Sequence, residues 1–273
     1  VGTENDTRVC SVSVSMSECS AIVLAAGEGK RLRPLTKHRP KPMLPAATQP
    51  ILEHVFGALI EARVTDITVV VGYKRNRVQS HFGPTYRNVP LQYVTQRKQL
   101  GSGHALLAAE SAVDRPLLVV NGDQLVDERI VEDVLEAHDA TATLGLIRRA
   151  DVARYGGVLL EEERVTEIVE NPRDERGYRL NAGVYAFEPS IFDAIRAGEP
   201  RAGEHSLTDG ISTLLEDGSD VRGVVSEGTW VDATYPWDLL RIADDLLAGG
   251  SSVESRVSPA ASIHDAATIL EPV

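Results

Sequence analysis

Residues 24–45 read LAAGEGKRLRPLTKHRPKPMLP, and this stretch sets the fold. It follows the short apolar run 21–25, so a buried strand ends where a glycine-rich loop begins. The loop carries Gly27 and Gly29, then Arg31, Arg33, Lys37, Arg39 and Lys41, with Glu28 as its one acid. Bare backbone amides beside cationic side chains suit a polyphosphate. The whole chain has a formal net charge of −12, so the loop runs against its background. Prolines at 40, 42 and 45 stiffen the segment and hold Lys41 in a fixed direction. The chain has five lysines and 23 arginines, and at position 41 it uses the compact point charge of a lysine. Gly27-Glu28-Gly29 is a weak match to a dinucleotide fingerprint, because Leu32 occupies the third glycine position. No Gly-Lys-Ser/Thr follows, so the loop is not a P-loop either.

A length of 273 residues with 42% apolar residues predicts one large domain, or one domain with an appendage. No apolar run approaches the roughly 18 residues that span a bilayer, and no charged-then-apolar leader opens the chain. Cys10 and Cys19 form neither a disulfide framework nor a metal spacing, which fits a reducing cytoplasm. The acidic balance argues against a general nucleic-acid binder. These features predict a cytoplasmic protein with small-molecule partners, neither nucleic acid nor membrane among them. A homo-oligomer stays open. Few lysines, many acids and few aromatics fit a salt-adapted protein, and they fit an ordinary acidic enzyme from a GC-rich genome equally well.

Residues 1–19 are polar and serine-rich and read as a flexible extension. From residue 20 strand and helix patterns alternate. Strand-like runs fall at 21–25, 67–71, 91–94, 117–120 and 142–147, and helical patterns at 51–62, 75–82, 104–112 and 127–137. Such alternation predicts an α/β fold: a Rossmann-like mixed, mostly parallel sheet flanked by helices. Ligands of such sheets bind beyond the carboxyl ends of the strands. The glycine-rich loop and Asn121-Gly122-Asp123 both lie there. After Tyr155 the pattern becomes a hairpin (157–160 and 165–170), a strand at 182–187, helices from 189 and at 207–216, an extended run at 221–225 and a helix at 236–247. This half reads as elements laid over the mouth of the first sheet. The acidic turn at 161–163 reads as a solvated surface. The domain closes near 248. In 249–273, Val257, Ile263 and Ile269 recur every six residues, with Ala261, Ala267 and Val273 as the small partners. This predicts the start of a left-handed β-helix.

With these motifs in hand, the chain resembles the sugar-1-phosphate nucleotidyltransferases. The glycine-rich loop matches their signature. QRKQLGSGHA at 96–105 is similar to the Q-L-G-T-G-H-A segment of N-acetylglucosamine-1-phosphate uridylyltransferases. Asn121-Gly122-Asp123 and Trp230-Val231-Asp232 resemble the two metal motifs. Tyr155-Gly156-Gly157, Val169-Glu170-Asn171-Pro172 and Asn181-Ala182-Gly183-Val184-Tyr185 resemble the sugar-binding elements. With its tail, the chain looks like the two-domain uridylyltransferase–acetyltransferase proteins cut short.

The resemblance implies the reaction of a nucleoside triphosphate with a sugar 1-phosphate, giving a nucleotide sugar and pyrophosphate. UTP with N-acetylglucosamine 1-phosphate is the favoured pair, and glucose-1-phosphate uridylyl or thymidylyl transfer is the alternative. It implies that Leu24, Ala25, Ala26, Gly27, Gly29, Gln96, Gly101 and Ser102 bind the nucleotide, and that Arg31 neutralises the departing pyrophosphate. It further implies that Lys41 contacts the reacting phosphates, that Gly157, Glu170 and Asn181 hold the sugar, and that Asp123 and Asp232 hold Mg²⁺, with Asp123 also catalytic. His104 reads as helix-terminal packing with no catalytic part. In two places the chain departs from the pattern. Asn171 stands where many relatives have a lysine, removing a phosphate contact unless Arg173 or Arg179 substitutes. Thr234 lies where a glycine is usual. These departures keep a catalytically silent regulatory subunit as an alternative of another class.

Overall fold

A computed structural model describes residues 19–112, 117–174, 176–200 and 203–248. The predicted extension, except Cys19, and the predicted β-helix tail therefore lie outside the described residues. The elements run β1 (Cys19–Ala25), β2 (Pro45–Ala46), β3 (Gln49–Pro50), α1 (Ile51–Glu61), β4 (Val64–Val71), α2 (Arg75–Phe82), β5 (Thr85–Tyr86) and β6 (Val89–Thr95). There follow α3 (Ser102–Ala108), β7 (Leu117–Asn121), β8 (Gln124–Val126), α4 (Glu128–Glu136), β9 (Ala142–Ile147), β10 (Gly156–Glu161) and β11 (Arg164–Glu170). The last are β12 (Arg179–Phe187), α5 (Ser190–Ala197), α6 (Leu207–Glu216), β13 (Val221–Ser226), β14 (Trp230–Asp232) and α7 (Asp238–Ala248).

One ten-stranded sheet in the order β10-β11-β13-β9-β12-β7-β1-β4-β6-β5 carries the fold. Its two faces are written into the strands by alternation. In β1, Ala21, Val23 and Ala25 join the core beneath α1, α2 and α4, while Ile22 and Leu24 join the core beneath α3, α5 and α6. Apolar residues on both parities make a strand that is buried on both faces, as the sequence pattern predicts. The first core packs Phe56 of α1 edge-on to Phe82 of α2, with ring centroids 4.9 Å apart. A third, smaller core gathers Leu32, Leu44, Ile51, Leu125, Ala233 and Ile242 beneath the glycine-rich loop.

The sheet is less parallel than the sequence predicts. The pairs β1·β4, β1·β7, β4·β6 and β9·β13 are parallel. The pairs β7·β12, β9·β12, β10·β11, β10·β12, β11·β13 and β5·β6 are antiparallel. The physical reason is β12. It is entered from the β10–β11 hairpin and not from a crossover helix, so it runs antiparallel between β7 and β9. Its backbone satisfies the free edge of β7. The second half of the chain thus extends the same sheet sideways, where the sequence pattern had suggested elements laid over its mouth.

Helix limits follow local chemistry. Helix α4 begins after Asp127, whose side chain accepts from Ile130 N at 3.4 Å, and α6 after Ser206, whose hydroxyl accepts from Asp209 N at 3.0 Å. Helix α3 starts two residues before the predicted 104, after the left-handed Gly101, and the predicted last turn is a separate 3₁₀ turn at 110–112. Phe56→Ala empties a fully buried ring site and should lower stability by about 3–5 kcal/mol, read as a drop in the urea midpoint at unchanged slope.

Candidate active site

The glycine-rich loop leaves β1 at Ala25 and is stitched down on both sides. Tyr73, just beyond β4, donates its amide to Ala26 O at 3.1 Å and its hydroxyl to Lys37 O at 3.0 Å. The fully buried Thr36 donates to Gly29 O at 2.9 Å. Among the described residues, no hydrogen bond uses the amides of Gly27, Glu28 or Gly29. They stay available to an anion at the strand end. Gly29 is left-handed at φ 68°, and a Cβ there would stand 2.7 Å from the Cβ of Lys41. The loop therefore closes directly on Lys41, which opens a 3₁₀ turn, Lys41–Met43, anchored by the buried Pro42 and Met43.

Lys41 is the hub of the site. Its Nζ lies 2.9 Å from Asp123 Oδ2 and 2.8 Å from Asp232 Oδ1. Burial disfavours the charged ammonium, but the two carboxylates outweigh it and raise the Lys41 pKa, so the side chain stays protonated. Asp123 follows β7, where Gly122 N donates to Leu24 O at 2.9 Å. Asp232 ends β14, which pairs antiparallel with β8 in the register Trp230↔Val126, Val231↔Leu125 and Asp232↔Gln124. That short ribbon places the two carboxylates side by side although the chain separates them widely. Trp230 pins it to the main sheet by donating Nε1 to Ala182 O at 2.9 Å.

Two adjoining cavities meet at this point. One, of about 650 Å³, is lined by Leu24, Ala25, Ala26, Gly27, Gly29, Arg31, Lys41, Gln96, Gly101, Ser102, Asp123 and Asp232. The other, of about 260 Å³, is lined by Glu170 and Asn181 with Arg154, Gly156, Asn171, Tyr185 and Thr208. Arg31, Ser102, Asn121, Asp123, Asp232 and Thr234 line both. The structure thus brings together the residues singled out in the sequence, with one exception. Gly157 packs against Pro172 and Tyr178, and it is Gly156 that faces the smaller cavity. Glu170 Oε1 accepts from Thr208 Oγ1 at 2.8 Å, and Asn181 Oδ1 accepts from Gly183 N at 3.1 Å. Ser102 Oγ accepts from Leu207 N at 2.9 Å, which ties α3 to α6.

Sequence reasoning missed Tyr185, Thr208 and Arg154. Tyr185 closes the quoted Asn181–Tyr185 motif, so a signal existed. Its hydroxyl faces Asn181, and burial raises its pKa, with a hydrogen bond to Asn181 opposing and Glu170 adding. Thr208 had no signal, because only folding brings the start of α6 to β11. His104 does more than end a helix. Gln96 Nε2 donates to Gly101 O at 3.0 Å and to His104 Nδ1 at 2.9 Å. A carbonyl only accepts, so the amide orientation of Gln96 is fixed and the His104 proton sits on Nε2. Both departures from the family pattern also find a place. Thr234 has no positive φ and donates to Asp232 Oδ2. Asn171 adopts φ 50°, a left-handed position that asparagine tolerates better than most residues.

The glycine-rich loop at the end of β1, the two carboxylates astride Lys41 and the second polar cavity thus adjoin one another. The chain belongs to the nucleotidyl transferase family, whose profile matches residues 20–249, and within it to the sugar-1-phosphate nucleotidyltransferases. It is 37% identical over 225 residues to the "Bifunctional protein GlmU" of Methanococcus maripaludis, covering 81% of this chain and 52% of that protein. It is 34% identical to the "UTP--glucose-1-phosphate uridylyltransferase AglF" of Haloferax volcanii, covering 80% of this chain and 92% of that one. The chain spans about half the length of the GlmU relatives. A putative glucose-1-phosphate thymidylyltransferase from Bacillus anthracis superposes with a TM-score of 0.74 at 27% identity, covering 83% of this chain and 94% of that one. Among the described residues no helix is long and apolar enough to cross a membrane.

Gly29→Ala forces a side chain into a left-handed position against Lys41, and should cost about 1–2 kcal/mol. Gly27→Ala meets nothing within 4 Å and should leave the melting temperature unchanged. Equal melting temperatures for the two variants would refute this account of the loop.

Proposed function

We propose that the protein couples UTP to a sugar 1-phosphate, releasing pyrophosphate, with N-acetylglucosamine 1-phosphate as the favoured sugar. The observation that carries this reading is Lys41 held between Asp123 and Asp232 at the junction of the two cavities. A phosphate oxygen of the sugar phosphate attacks the α-phosphorus, the bond to the β-phosphate bridging oxygen breaks, and pyrophosphate leaves with that electron pair. Such a reaction needs positioning and charge neutralisation more than covalent participation. Lys41 faces the α-phosphate and the attacking phosphate. Arg31, which lines both cavities, stands over the leaving pyrophosphate, and the amides of 26–29 hold the triphosphate. Glu170 and Asn181 accept from or donate to sugar hydroxyls.

Two carboxylates beside a phosphate site are a donor set that suits Mg²⁺, which commonly takes one or two carboxylates and completes its shell with water and phosphate oxygens. Among the described residues no cluster of three or more histidine, cysteine or acidic side chains competes for it. Asp123 and Asp232 would hold the ion, and Thr234 would orient Asp232. When bound, Mg²⁺ supplies charge neutralisation to the phosphates.

The base preference rests on Gln96. Both N–H bonds of its side-chain amide are used inside the protein, so its carbonyl oxygen is the group left for the nucleobase. That oxygen accepts from the N3–H of uracil or thymine, whereas cytosine has an acceptor at N3. The resemblance to AglF supports a second reading with glucose 1-phosphate as the sugar. Against the silent-subunit alternative stand the hydrogen bond of Thr234 to Asp232 and the backbone conformation of Asn171, which asparagine tolerates.

Pyrophosphate release, measured with each of five nucleoside triphosphates against N-acetylglucosamine and glucose 1-phosphates, should appear with UTP, more weakly with dTTP, and not with CTP. EDTA should abolish it. Asp123→Ala should lower turnover by at least about a hundredfold at unchanged melting temperature. Full activity in that variant removes the assignment of Asp123, and silence with every substrate pair favours the regulatory reading.

A further inference from the structure

The geometry points to Arg154 as the side chain that binds the phosphate of the sugar 1-phosphate, in place of the lysine that Asn171 lacks. This rests on the nucleotidyl-transfer reading above. The smaller cavity contains the carboxylates of Glu170, Asp123 and Asp232, and its lining includes two cations, Arg31 and Arg154. The incoming nucleophile is a phosphate dianion that approaches a triphosphate, so the sugar side must supply positive charge of its own. Lys41 is already shared between two carboxylates, and Arg31 also faces the triphosphate cavity.

The arginines nearest in sequence to Asn171 do not fill the role. Arg179 donates to Gly177 O at 3.2 Å, and neither it nor Arg173 lines the cavity. Arg176 is engaged by Glu167 and Asp174. Arg154 is different. It closes a 3₁₀ turn, Val152–Arg154, that leads directly into Tyr155 and Gly156 on the cavity wall. Its guanidinium lies 5.8 Å from the ring centroid of Tyr235, three residues beyond Asp232. The ring that steadies the arginine is therefore carried by the same segment as a reacting-site carboxylate. Among the described residues no carboxylate pairs with Arg154, whereas Arg149 nearby is held by both oxygens of Asp151. The charge of Arg154 is felt by Asp151, yet no carboxylate occupies the guanidinium directly among the described residues, so at the edge of a polar cavity it can present its planar fork to a phosphate.

Steady-state kinetics of Arg154→Gln test this. KM for N-acetylglucosamine 1-phosphate or glucose 1-phosphate, whichever the wild type uses, should rise at least tenfold, with KM for UTP within twofold of wild type. Arg154→Lys, which keeps the charge, should recover part of the loss, an effect that a merely structural role would not give. Unchanged KM for the sugar phosphate, or equal rises for both substrates, overturns the assignment while leaving nucleotidyl transfer standing. Should the wild type form no nucleotide sugar, the parent reading fails. Calorimetric titration of wild type and Arg154→Gln with the two sugar phosphates then decides the Arg154 proposal alone: tighter binding by the wild type supports it, and equal or absent binding refutes it.

Discussion

The ion triad of Lys41, Asp123 and Asp232 is the constraint on which the rest of the site depends. Three charged groups from three distant parts of the chain share one partly buried point, and such a cluster is tolerable only when each charge is compensated. Taking away Lys41 leaves two neighbouring carboxylates with no cation between them, whereas taking away either aspartate still leaves Lys41 one partner. The loop above, the ribbon below and the third hydrophobic core around them all hold these three side chains within hydrogen-bond reach. The same arrangement leaves cationic and anionic groups at the junction of the two cavities, where the proposed reaction places the phosphates.

The sheet explains why these parts can meet. Strands β1 and β7 are parallel neighbours, so their carboxyl ends lie together and carry the glycine-rich loop and Asp123 to one edge. The antiparallel β12 beside β7 brings Asn181 to the same region, and the β10–β11 hairpin brings Glu170. The parallel half of the sheet therefore builds the larger cavity, proposed for the nucleotide, and the antiparallel half the smaller one, proposed for the sugar, with Lys41, Asp123 and Asp232 at the seam.

Much of the fold was legible because its cause is local. The short continuous apolar runs of β1 and β7, and the helical periodicity of α1, α2, α4 and α6, place these elements within a residue or two of their observed limits. The strand β12 was legible as a strand but not as an antiparallel neighbour of β7, since pairing direction depends on the path of the chain through space. In the site, Arg31, Lys41, Asp123, Glu170, Asn181 and Asp232 were readable from motifs. Gly157 was readable as a motif residue, yet the pleat turns its neighbour Gly156 toward the cavity. Tyr185 lay within a readable motif, whereas Thr208 and Arg154 join the site through packing that no spacing encodes.

By itself the sequence determined the cationic glycine-rich loop, the doubly covered strands and the identity of the charged groups, because side-chain chemistry and local periodicity do not depend on the rest of the chain. Tertiary structure decided which of those groups touch. The β8–β14 ribbon set Asp232 beside Asp123, the buried Lys41 took both as partners, and Gly101 and His104 took up the side-chain amide hydrogens of Gln96. Charge pairing and hydrogen-bond satisfaction are properties of neighbours in space, and those neighbours exist only once the sheet has formed.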